Sequence, residues 1–72
     1  MRELTGAEIE RLASRRGVRK VAVENFLMTL GYAGSASAER RNLYADARSY
    51  GWNAATEQAI LDGIELAYGG VR

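Results

Sequence analysis

The chain has 72 residues, enough for one compact domain and too few for two independent cores, so any function must fit a single small unit or an assembly of it. It contains no Cys and no His, which removes disulfides, haem-type ligation, the usual zinc sites, the imidazole base and the reactive thiolate together. Ten Lys and Arg stand against nine Asp and Glu, and 47% of the residues are hydrophobic, a composition that folds but is far from that of a strongly basic nucleic-acid binder.

The expected fold is all-α: one compact domain spanning residues 1–72, built of four short helices. Thr5-Gly-Ala-Glu8 reads as a capping box, in which the Thr hydroxyl and the Glu carboxylate satisfy each other's backbone N–H groups at a helix start. Ile9, Leu12 and Ala13 form the apolar stripe that follows, and Gly17 ends it by taking the left-handed conformation. A second helix is expected from Val18 to Leu30. Val23, Phe26, Leu27 and Leu30 share one face, Ala22 widens it, and Val21 and Met28 lie to the side, a breadth that predicts a central element covered from more than one direction.

Gly31 to Ala36 is rich in Gly, Ser and Ala and is the expected hinge. The third helix starts at Ser35 or Ser37 and runs to Gly51, with Leu43, Ala47 and Tyr50 turned inward. Asn53 caps the fourth, Glu57 complements its positive end, and Gly69-Gly70 closes it. Along that helix Ala55, Ala59, Gly63 and Ala67 recur every four residues, a row of small groups along which another helix can come close, with Ile60, Ile64 and Tyr68 beside it. No stretch approaches the roughly 20 apolar residues needed to span a bilayer, so the expectation is a soluble, cytoplasmic protein with no membrane partner.

Chemistry is sparse. With only carboxylates, one Lys, hydroxyls and tyrosines available, neither catalysis nor a cofactor is expected. Asp62 and Glu65, three residues apart on a helix, could hold a hard cation or could simply form a solvated acidic face, the plainer reading. Arg40, Tyr44 and Arg48 lie on one helical line with Arg41 alongside, either a stacking strip for nucleic acid or, more simply, Arg stems covering a ring. Tyr50 and Trp52, on either side of Gly51, are either a ligand platform or, the plainer reading, corner-filling core residues.

The most specific pattern runs through Ile9-x-x-Leu12-Ala13-x-x-x-Gly17-Val18-x-x-x-x-Val23-x-x-Phe26. Over residues 9–28 it resembles the helix-turn-helix superfamily of bacterial repressors; the same spacing also arises in an ordinary antiparallel helical hairpin. The resemblance implies that the second helix enters the major groove of duplex DNA, placing Arg19, Lys20, Val21, Glu24 and Asn25 near it, with Arg19 and Asn25 suited to base edges and Arg11, Arg15 and Arg16 to phosphates. The five bases between Arg11 and Lys20 are uninterrupted by any acid, which agrees with that reading. The alternative is a protein-interaction or self-associating adaptor. Its interface would be Val21, Met28 and Leu66, apolar residues left over once the four stripes are assigned to the core. The exposed side of the second helix separates the two: Arg19 and Asn25 favour DNA, an open patch of Val21 and Met28 favours protein.

Overall fold

The computed structural model describes residues 1–69 and consists of α1 (Gly6–Arg15), α2 (Lys20–Met28), α3 (Ala36–Tyr50) and α4 (Ala54–Ala67), with no strand among the described residues. Its radius of gyration is 11.0 Å, the size expected for a single globule of this length. Gly70, half of the expected Gly69-Gly70 terminator, lies outside the described residues.

Local chemistry sets the helix ends. The capping box is complete: the Glu8 N–H donates to Thr5 Oγ1 at 3.1 Å, and the Thr5 N–H donates to Glu8 Oε1 at 2.9 Å. At the other end of α1, the Gly17 N–H donates to the Ser14 carbonyl and the Val18 N–H to the Ala13 carbonyl, the paired bonds of a Schellman motif, with Gly17 at φ +70°. Val18 is thereby used to finish α1, which is why α2 begins at Lys20 rather than at the expected Val18. At the end of α2 the Thr29 hydroxyl donates back to the carbonyls of Asn25 and Phe26, satisfying acceptors that a longer helix would have used. The helix stops at Met28, and Leu30 enters the core from the turn beyond it. Ser35 caps α3 through the Ala38 N–H, and Asn53 caps α4 through the Thr56 N–H.

The central element is α4, not α2. It packs against α1, α2 and α3, and α1 also packs against α2. Six of its residues are buried (Thr56, Ala59, Ile60, Gly63, Ile64 and Ala67), whereas α2 buries only Val23 and Leu27. The apolar breadth of α2 does correspond to coverage from two sides, by α1 and by α4, but Ala22, expected to widen its buried face, is exposed. The row of small residues explains the inversion. A Cβ at Gly63 would overlap Leu27 Cδ2 and stand 3.1 Å from Cδ1, so the missing side chain is what admits α2. Ala59 and Ala67 keep the same side of α4 low and are themselves buried.

One more expectation fails at the α3–α4 corner. Tyr50 is not inward: α3 ends at Gly51, Trp52 takes the corner edge-on against Phe26 with centroids 6.3 Å apart, and Tyr50 is left stacked on Trp52 and 70% exposed. In the α2–α3 loop, the Gly31 N–H donates to Glu39 Oε2 at 2.7 Å.

Two substitutions test these placements. Gly63→Leu should overpack the α2–α4 contact and lower stability by about 1–3 kcal/mol despite the better helix propensity of Leu, with a smaller loss in a Leu27→Ala background. Gly17→Val should cost about 1–2 kcal/mol through backbone conformation alone, since nothing lies within 4 Å of a Cβ there. Urea unfolding measures both; no change in midpoint would contradict them.

Candidate functional site

The residues expected to contact DNA are distributed over the α1–α2 hairpin, and one of them is already engaged. Arg16 donates through Nε and Nη2 to the two carboxylate oxygens of Asp62 at 2.8 and 3.2 Å, a forked ion pair that ties the end of α1 to α4. Arg11 and Arg15 are exposed on α1 beside a shallow hollow that also contains Leu12 and Leu66. Arg19 is exposed at the N-cap of α2, making no side-chain capping bond, and the half-buried Lys20 reaches back to Gly6. Asn25 is exposed one and a half turns further on.

Asp62 is consequently neither half of a cation site nor part of a freely solvated face. Its oxygens accept from Arg16 and from Gln58 Nε2, while Glu65 is exposed. Burial pushes the Asp62 carboxyl up, but the hydrogen bonds from Arg16 and Gln58 and the positive charges of Arg16 and Arg15 outweigh it and hold it below the usual range. Arg40, Arg41, Tyr44 and Arg48 form an exposed face of α3.

On the exposed side of α2, Val21 and Met28 stand 62% and 69% accessible, with the exposed Ala22, Asn25 and Thr29 alongside. Beyond Lys20, α2 carries no base. Of the expected protein-interface residues, Val21 and Met28 thus belong to one surface; Leu66 lies on α4 in the separate hollow beside Arg11 and Arg15.

That α2 surface adjoins a cleft of about 460 Å³ between α2 and α3, which do not pack on each other. Ala22, Asn25, Phe26 and Thr29 form the α2 wall; Asn42, Asp46 and Tyr50, spaced four apart on α3, form the other. Trp52 closes one end, and Tyr32, 91% exposed, stands at the rim. The same helical spacing sends Arg40, Tyr44 and Arg48 away from the cleft.

Glu39, at the floor, is only 3% exposed and has no ion-pair partner among the described residues. Its Oε2 accepts from the Gly31 N–H and from the Tyr68 hydroxyl at 2.9 Å, so one carboxylate joins the α2–α3 loop, α3 and the end of α4. Burial and the hydrogen bond to Glu39 both push the Tyr68 hydroxyl up. Nothing in the local sequence signals this network, because its members are 8 and 29 residues apart.

No family model matches the chain, and no curated protein or solved structure matches it either. Among the described residues, no helix is long and apolar enough to cross a membrane, and no group of three metal-capable side chains converges.

The polar contacts give two measurable outcomes. Tyr68→Phe should cost about 1–2 kcal/mol, because it removes one of the two donors to a buried carboxylate. Glu8 is the clearest source of acid sensitivity: the Arg2 guanidinium hydrogen bond, then the Thr5 N–H, lowers its carboxyl from 4.5 to about 2. Its folded value lies below its unfolded one, so its contribution is complete above about pH 4.5 and disappears as the pH falls towards 2. Urea midpoints should therefore decline over that window more steeply in the parent chain than in Glu8→Gln; parallel profiles would contradict the assignment.

Proposed function

We propose that the chain is a non-catalytic interaction module that docks a segment of a partner protein on the exposed face of α2 and the cleft beside it. The observation that carries this reading is that Tyr32 and Tyr50 line the cleft while left mainly in solvent, and that Val21 and Met28 stand equally open on α2, the helix that forms its other wall. The chemistry of the cleft points the same way. Aromatic rings, neutral amides or hydroxyls and the carboxylates of Glu39 and Asp46 line it, a combination that suits a polypeptide with both apolar side chains and backbone groups to satisfy.

Duplex DNA is the second reading, favoured by one observation: Arg11, Arg15 and Arg19 are exposed and no acid interrupts the stretch they lie in. Against it stand the use of Arg16 by Asp62 and the apolar character of the α2 face that would meet the groove. In that reading affinity would fall with salt, with a log–log slope of about −0.9 per phosphate contact.

Peptides selected from a random displayed library against the folded chain, then titrated into isotope-labelled protein, test the proposal. Amide shifts should concentrate at Val21, Asn25, Met28, Asn42 and Tyr50, and the double variant Val21→Lys/Met28→Lys should bind about tenfold or more weakly without a change in melting temperature. Shifts confined to Arg11 through Lys20, or salt-sensitive duplex binding without any peptide ligand, would overturn it. Concentration-dependent dimerisation abolished by Met28→Lys would replace the partner protein with a second copy of the chain.

A further inference from the structure

Within the cleft the charges are one-sided. Among the described residues its only ionisable side chains apart from tyrosines are Asp46 and Glu39, and no Lys or Arg lines it. The two carboxylates differ in what they have left to offer. Glu39 is buried and accepts from Gly31 and Tyr68, whereas Asp46, half-buried on the α3 wall, has no ion-pair partner and no side-chain hydrogen bond among the described residues. One turn along α3 from Asp46 stands Tyr50, its ring stacked on Trp52 at 5.7 Å between centroids and 28° between planes. Trp52 meets Phe26 edge-on, so the ring pair is braced from the α2 side. An unpaired carboxylate is therefore set one helical turn from a largely open, stacked aromatic surface, in a cleft from which α3 turns its own arginines away.

A flat cation satisfies both features at once. A guanidinium stacks on an aromatic face and presents a planar fork of N–H donors to a carboxylate, whereas an ammonium does only part of this and an uncharged amide less. From this juxtaposition we infer that the cleft is a seat for an arginine side chain of the docked partner, with the guanidinium against Tyr50 and Trp52 and its N–H groups on Asp46. The inference rests on reading the cleft as part of a protein-docking surface and specifies the partner: a segment in which an arginine is flanked by apolar residues, the latter meeting Val21 and Met28.

A random dodecapeptide display library, panned in parallel on the parent chain, Asp46→Asn and Tyr50→Ala, tests the seat. Circular dichroism should show the same helix content in all three. On the parent, selected peptides should be enriched in arginine, and replacing that arginine by glutamine should weaken binding by about tenfold or more, with lysine in between. The enrichment should be lost on Asp46→Asn, and the arginine-to-glutamine difference should shrink there while affinity for the glutamine peptide stays unchanged. Peptides that map to the α2 face but show no arginine preference, or a preference unaffected by Asp46→Asn and Tyr50→Ala, would overturn the arginine seat and leave the docking surface standing. Failure to select any peptide on the parent would remove both.

Discussion

The close approach of α2 to α4 at Gly63 is the constraint from which the arrangement of the other helices follows. Without a side chain at that position, Leu27 settles against the α4 backbone, and Ala59 and Ala67 keep the neighbouring turns shallow enough for the same contact to continue. A glycine in a helix interior costs about 1 kcal/mol relative to alanine, so the close packing has to return at least that much. Once α2 is drawn onto α4, α1 covers the angle between them and α3 takes another side of α4. What remains between α2 and α3 is not filled by helix packing, and there the cleft opens.

Much of the fold is legible in the sequence where the determining contacts are local. Thr5 and Glu8 are three residues apart and satisfy one another; Gly17, Ser35 and Asn53 act on backbone groups within a turn of themselves. The four-residue spacing of Ala55, Ala59, Gly63 and Ala67 likewise announces a close helix contact. What is not legible depends on which helix occupies that contact. A broad apolar surface on α2 looks like the centre of a bundle, but an apolar side chain can be exposed without penalty to the pattern, and Ala22 is. The inward assignment of Tyr50 fails for a similar reason: Trp52, just past the helix end, takes the same corner.

Contacts distant in sequence hide the rest of the site. Arg16 lies in an acid-free basic run and reads as a free cation, yet its partner is 46 residues away on α4. Glu39 reads as one more charge in the first turn of α3, and only the folded chain reveals the Gly31 and Tyr68 donors that allow its burial. Asp46 is unremarkable until α3 is oriented; then it faces a cleft together with Asn42 and Tyr50 while the arginines of the same helix face away. The exposed residues Val21 and Met28, by contrast, were separable from the core by helical spacing alone.

The claim on which the rest depends is that Gly63 admits α2 to α4 while α2 and α3 stay apart. Nuclear Overhauser effects in the parent chain measure this directly. Strong cross-peaks should link the Gly63 Hα protons to the Leu27 methyl groups, Phe26 and Trp52 ring protons should meet at the closed end of the cleft, and the Ala22 and Ala45 methyl groups on its walls should show none to each other. Absence of the Gly63–Leu27 cross-peaks, or direct contacts between Ala22 and Ala45, would contradict both the packing and the open cleft that follows from it.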